Sequence, residues 1–159
     1  MRILGLDLGT KTGWAYASTP TVIESGVEVF DRSHDESPGM RFHRFSSWLA
    51  RFLDEVGPDV VISERAHLRG FAATQLALGF ATRVQEQAAL RKIEVAAPVH
   101  SAALKKWLTG GAKVIGRRAT KDDVIDTVCS RWKIVDSEDE ADAIAVLMWA
   151  MHHLGGGAP

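Results

Sequence analysis

The amino-acid sequence predicts an α/β fold in which a mixed five-stranded sheet is flanked by helices. Three strand-like segments open the chain and are joined by short turns, which is typical of an antiparallel meander. Two later apolar runs of strand length each follow an amphipathic helical pattern, so these strands return to the sheet through helices. The chain has 159 residues, the size of one domain, and we expect a single domain over residues 1–154 with a disordered tail at 155–159.

The strands are predicted from apolar runs bounded by turn residues. The first has apolar residues on both faces and indicates a buried strand. Gly, Thr and Pro residues separate the next two, and Pro98 closes the last. The predicted strands cover residues 2–8, 13–18, 22–30, 59–63 and 93–98.

The helices are predicted from apolar residues that recur at three- and four-residue steps. The pair Gly57 and Pro58 ends the first helix, and Thr120 with Asp123 three residues later forms a capping-box pattern. The resulting order, β-β-β-α-β-α-β-α-α-α, is the topology of the ribonuclease H-like fold. The predicted helices cover residues 40–56, 73–90, about 101–108, a segment after Thr120, and about 137–154.

Composition excludes several classes of protein. Apolar residues make up 46% and charged residues 25% of the chain, as in globular proteins. No apolar run reaches the roughly 18 residues of a transmembrane helix, and the first residues enter a strand at once, unlike a signal peptide. Cys129 is the single cysteine, so no intramolecular disulfide can form, and we expect a cytoplasmic protein that does not bind membranes.

The net charge of -1 hides two segments of opposite sign. The stretch from Val95 to Lys121 has no acid but carries several basic residues, whereas residues 136–142 hold a run of acids. Each segment could be a solvated surface, and acids at the start of a helix could complement its dipole. The alternative is that the acids form half of a metal site.

Acids on three elements could meet at one edge of the sheet. Asp7 ends the first strand, Glu64 follows the fourth, and Asp139 and Asp142 share a face at the start of the last helix. Taken singly, Asp7 could bond to the next turn and Glu64 could be a surface acid. Together, four carboxylates would repel one another strongly unless cations offset the repulsion, and oxygen ligands favour Mg²⁺ or Mn²⁺. Two such ions would suit the hydrolysis of a phosphodiester.

Four motifs in this order resemble those of the RuvC-type Holliday junction resolvases, within the ribonuclease H-like superfamily. The resemblance covers most of the chain, and the variant first motif and long loop at residues 110–121 resemble the phage-encoded branch. The motifs are "ILGLDLGTKTGWA", "VVISE", "LKKWLTG" followed by "ATKDDV", and "DEADAIAVL".

The resemblance implies a crossover junction endodeoxyribonuclease that resolves four-way junctions by paired symmetric nicks, with water as nucleophile and a 5′-phosphate product. It implies that Lys121 lies near the scissile phosphate and that four carboxylates bind the metal, with Glu138 left open as a replacement for Asp139. A twofold homodimer follows from the two nicks, with the helix at residues 73–90 as its expected surface. The implied metal ligands are Asp7, Glu64, Asp139 and Asp142, and the expected DNA-binding residues are His67, Arg69, Lys105, Lys106, Lys113, Arg117 and Arg118.

Three alternatives remain. A RuvX/YqgF-like RNA nuclease shares "LDLGTK" and an acidic last motif, but the "LKKWLTG" segment argues against it. A catalytically inert binding module on the same fold would not need the four acids. An actin-like ATPase fragment would use "DLGT" for phosphate, but the only glycine triplet lies in the tail.

Overall fold

The computed structural model describes residues 1–65, 70–110 and 120–155. These residues form five strands and five helices. The strands are β1 (Ile3–Asp7), β2 (Lys11–Thr19), β3 (Val22–Val29), β4 (Val60–Ser63) and β5 (Glu94–Val95). The helices are α1 (Gly39–Val56), α2 (Phe71–Leu90), α3 (Ser101–Leu108), α4 (Lys121–Arg131) and α5 (Glu138–Leu154).

The strands form one mixed sheet in the order β3-β2-β1-β4-β5. Strands β1, β2 and β3 pair antiparallel as a meander, whereas β4 runs parallel to both β1 and β5. This is the predicted order of elements, and the prediction of a mixed five-stranded sheet flanked by helices is confirmed.

The sheet separates two apolar layers. Alternation along β1 sends Leu4 and Leu6 to one face, where they pack with Phe45 of α1 and Phe80 of α2. Ile3 faces the other layer, whose core is built largely from α5. The first layer is rich in aromatic residues and the second in small aliphatic ones, and both are closed to solvent.

Helix α5 lies directly on the backbone of β1 and β2, because glycines stand where it crosses. A Cβ on Gly5 would lie 2.8 Å from the carbonyl oxygen of Ala143, and one on Gly13 would overlap the carbonyl of Asp139. Gly13 pairs with Asp7 across the strands, so the first turn of α5 lies beside the end of β1. The two glycines thus bring the acidic end of α5 to the sheet.

Three elements differ from the sequence prediction by two residues or more at one end. Strand β2 begins at Lys11, because Thr12 Oγ1 donates to the carbonyl oxygen of Gly9 at 2.8 Å and closes the turn early. Strand β5 has only two residues, which pair with Val60 and Val61. Helix α2 begins at Phe71, directly after Gly70, whose φ of 85° is the left-handed conformation that glycine tolerates.

No helix among the described residues is both long and apolar enough to cross a membrane. The predicted disordered tail falls, apart from Gly155 at the end of α5, outside the described residues. The single domain over residues 1–154 stays a prediction.

Candidate active site

Asp7 and Glu64 come from neighbouring parallel strands. The register pairs Leu6 with Ser63, so Asp7 and Glu64 each lie one residue further along. The Glu64 N–H donates to the carbonyl oxygen of Leu6 at 3.3 Å, which extends the pairing to this point. By strand alternation both acids lie on the α5 face of the sheet.

Asp139 and Asp142 face the same point from the first turns of α5. Ser137 caps this helix: its hydroxyl accepts a hydrogen bond from the Glu140 N–H at 3.4 Å. The apolar body that follows is buried against the sheet, which fixes where the helix begins. The four acids therefore come together from β1, the end of β4, and α5.

The electrostatics of Asp7 and Asp142 indicate that the four acids act on one another. Burial, followed by repulsion from Asp142, Glu64 and Asp139, raises the pKa of Asp7 to about 8. Burial and the negative charge of Glu64 raise the pKa of Asp142 to about 6. At neutral pH and without a cation, Asp7 would be largely protonated, because the positive charge near it is too small to keep its carboxylate ionised.

Two lysines partly offset this repulsion. Lys121, the first residue of α4, lowers the pKa of Asp7 and Asp142, and Lys105 of α3 lowers that of Asp142. Lys121 Nζ also donates to Glu138 Oε2 at 2.6 Å, which raises the pKa of the lysine. Glu138 is thus an ion-pair partner of Lys121, which favours Asp139 as the fourth acid of the set.

Glu140 belongs to a different contact network. Its Oε1 accepts from Ser25 Oγ at 2.7 Å and lies 3.3 Å from Lys133 Nζ. These partners lie towards β3 and the segment between α4 and α5. Glu140 therefore points away from the other acids, as its spacing from Asp142 predicts.

Sequence reasoning did not find the residues that hold Glu64. Ser101, the first residue of α3, is buried and donates its hydroxyl to Glu64 Oε1. Beside this contact, Arg65 Nη1 lies 2.9 Å from His100 Nε2. These contacts join residues more than 30 positions apart in the sequence. The one sequence feature that could have pointed to them is that Ser101 stands at the start of a predicted helix.

The donor set is chemically suited to a hard divalent cation, because it consists of carboxylate oxygens, and burial together with neighbouring negative charge raises the pKa of Asp7 and Asp142. Within the described ranges, however, no three His, Cys, Asp or Glu side chains are spaced to hold an ion together. The site is an open set of carboxylates.

The predicted DNA-binding residues divide into two groups. Lys105 is half-buried and acts on Asp142, and Lys106 is exposed on the same helix. The remaining predicted residues lie outside the described ranges: His67, Arg69, Lys113, Arg117 and Arg118.

The sequence matches no protein-family model and no curated protein. Solved structures do match. A structure of Thermus thermophilus RuvC is 21% identical, with a TM-score of 0.76 over 99% of this chain and 98% of that chain. The same protein in complex with Holliday junction substrate is 20% identical, with a TM-score of 0.76 over 92% and 90%. The yeast mitochondrial Holliday junction resolvase Ydc2 is 15% identical, with a TM-score of 0.58 over 91% and 75%. The chain therefore has the fold of the RuvC-type Holliday junction resolvases.

Proposed function

We propose that this protein is a metal-dependent DNA endonuclease that resolves four-way junctions by paired symmetric nicks. One observation carries the proposal: Asp7, Glu64, Asp139 and Asp142 converge on one face of the sheet, where burial and then repulsion from the other three acids raise the pKa of Asp7 to about 8. A buried group of like charges is costly for stability and is typical of a functional site. The matched resolvases, one of them solved with a Holliday junction, support branched DNA as the substrate.

The chain supplies the groups that such a reaction needs. The four carboxylates would hold Mg²⁺ or Mn²⁺, two ions per site in our proposal. When bound, the ions would stabilise charge on the phosphodiester and supply an activated water. Lys121 lies close enough to influence Asp7 and Asp142 and would attract a phosphate oxygen. Ser101 orients Glu64 by donating to one carboxylate oxygen.

A homodimer would place two such sites on one junction. Two symmetric nicks need two sites, and the described residues supply one set of converging acids. Helix α2 supports this proposal, because Phe71 is 81% and Leu78 is 55% exposed along its outer side. Both are large apolar residues that a second copy could cover.

The basic segment between α3 and α4 would bind the DNA backbone. Arg117 and Arg118 belong to this acid-free stretch, and Lys105 and Lys121 stand at its borders. Replacing both arginines by alanine should lower the slope of log affinity against log salt by about one to two units.

A cytoplasmic location, suggested by the single Cys129, completes the proposal.

The direct test uses a labelled synthetic four-way junction, a linear duplex of the same sequence and an RNA duplex. We expect Mg²⁺- or Mn²⁺-dependent nicks on opposite strands of the junction only, and no cleavage in chelator. Preferred cleavage of RNA would instead support a RuvX/YqgF-like nuclease. Tight junction binding without cleavage at any metal concentration would support an inert binding module.

A further inference from the structure

Arg65 follows Glu64 directly, and its backbone is fixed. The Arg65 N–H donates to the carbonyl oxygen of Val99 at 2.7 Å, and Glu64 forms an isolated parallel bridge with Val99. The side chain of Arg65 is exposed. The backbone of a cationic residue is therefore fixed one residue from a carboxylate of the site.

His100 is the single hydrogen-bond partner of the Arg65 guanidinium among the described residues, at 2.9 Å from Nη1 to Nε2. A guanidinium can only donate, so Nε2 must accept and the ring must be neutral, with its proton on Nδ1. The contact orients Arg65 without neutralising its charge. Most of the five guanidinium N–H donors have no partner within residues 1–65, 70–110 and 120–155.

Four other arginines differ from Arg65 in this respect, because each faces a carboxylate. The pairs are Arg2–Asp59, Arg44–Glu36, Arg83–Glu86 and Arg91–Asp54. Their charges are matched at the protein surface, whereas no carboxylate in the part of the chain that the structure describes pairs with Arg65.

The Arg65–His100 contact lies beside the Glu64–Ser101 contact, since the members of the two pairs are neighbours in sequence. Both contacts join the same two chain segments, so an anion bound by Arg65 would lie near the segment that carries Glu64. A guanidinium presents a planar fork that matches a phosphate group. The proposed substrate carries phosphates at regular intervals along each strand.

We propose that Arg65 binds a backbone phosphate of the DNA strand next to the carboxylate site, and that His100 is a positioning residue that orients Arg65. This inference rests on the proposed function and adds a DNA contact to it. It is independent of the basic segment between α3 and α4.

The test measures junction affinity by fluorescence anisotropy in chelator, over a series of salt concentrations. Arg65→Ala should weaken binding about tenfold and lower the salt slope by about 0.9, the value for one phosphate contact. Arg51→Ala is the matched control, because Arg51 is an exposed arginine on α1 whose guanidinium has no partner among the described side chains, and its loss changes the net charge equally. It should leave both quantities nearly unchanged.

The role of His100 is tested by a double-mutant cycle. His100→Ala should weaken binding two- to fourfold in the wild-type background and have no effect in Arg65→Ala. His100→Gln should restore binding, because its amide oxygen can accept from the guanidinium. Equal effects of His100→Ala in both backgrounds would show that His100 does not act through Arg65.

Two failures can be told apart. If the wild type cleaves the junction and Arg65→Ala binds like Arg51→Ala, the proposed function stands and the Arg65 contact is wrong. If the wild type binds DNA with the Arg65-dependent slope but never cleaves, the contact stands and the nuclease proposal is wrong. If the wild type binds no DNA, both are wrong.

Discussion

Gly13 of β2 lies directly beneath the backbone of Asp139 at the start of α5. A Cβ on Gly13 would overlap the carbonyl oxygen of Asp139, and that atom belongs to the backbone, so no rotation of a side chain relieves the overlap. Gly13 also pairs with Asp7 across the sheet. One glycine thus sets how close the acids of α5 come to the acid of β1.

Gly13→Ala should therefore destabilise the protein and impair the site together. Overpacking against backbone costs about 1–3 kcal/mol, so we expect the melting temperature to fall by several degrees and cleavage to fall further than folding alone explains. Gly39→Ala is the control, because a Cβ there would meet only Ser37 Oγ at 3.7 Å. A Gly13→Ala protein as stable and active as Gly39→Ala would contradict the close approach.

Asp7→Asn should abolish junction cleavage while leaving binding intact or tighter. The substitution removes one oxygen ligand from the carboxylate set and, at a pH where Asp7 is ionised, one negative charge from the path of a phosphate. Cleavage assays with Mg²⁺ and anisotropy in chelator measure the two effects separately. Cleavage that persists in this variant would rule out Asp7 as a metal ligand.

Asp7→Asn should also stabilise the metal-free protein, increasingly so as pH rises. The pKa of Asp7 is raised from 3.8 to about 8, so the favourable contribution of its neutral form is complete below pH 4 and is lost as pH rises through 8. The asparagine variant does not titrate at this position. Its advantage in the free energy of unfolding should grow from near zero at pH 4 to roughly 1–3 kcal/mol at pH 8.5, the order of the cost of a buried charge without a partner.

Urea unfolding in chelator at several pH values measures the free energy of unfolding of both proteins. Subtracting one from the other cancels the contributions of the other titrating groups, which the two proteins share. Added Mg²⁺ should stabilise the wild type more than the variant, because the ion favours the ionised carboxylate. A difference that is flat between pH 4 and 8.5 would mean that Asp7 is not in a repulsive, buried environment.

Substitutions at Asp139 and Glu138 should separate the two neighbouring acids. Asp139→Asn should abolish cleavage, whereas Glu138→Gln should lower it only a few-fold, because Glu138 forms an ion pair with Lys121. Lys121→Ala should lower the cleavage rate about 100-fold, the order of a lost electrostatic contact to the reacting group. An active Asp139→Asn with an inactive Glu138→Gln would exchange their roles in the ligand set.

Leu78→Glu should dissociate the proposed dimer. A charge on the outer side of α2 would be buried without a partner in the interface, so we expect a shift from dimer to monomer in light scattering at micromolar concentration. Ile134→Glu is the matched control, since Ile134 is 83% exposed but lies between α4 and α5. A wild type that is monomeric under these conditions would contradict the dimer directly.

The sequence carried enough periodicity to predict the order of elements, the bounds of α3 and the capping box at Thr120. It also predicted that Asp7 and Glu64 could face one another at one edge of the sheet, because each acid follows an apolar run of strand length. It did not predict the Arg65–His100 contact or the partner of Glu138. Those contacts depend on how α3 and α4 pack against the sheet, which no local pattern determines.

The two apolar layers also divide the tryptophans, and this has a spectroscopic consequence. Trp14 and Trp48 pack in the aromatic layer with α1, whereas Trp107, Trp132 and Trp149 pack against the α5 layer. Replacing one set by phenylalanine would leave an intrinsic fluorophore on one side of the sheet only. Emission from the α5 side would then report on the packing of that layer, while emission from the other side would report on the aromatic layer.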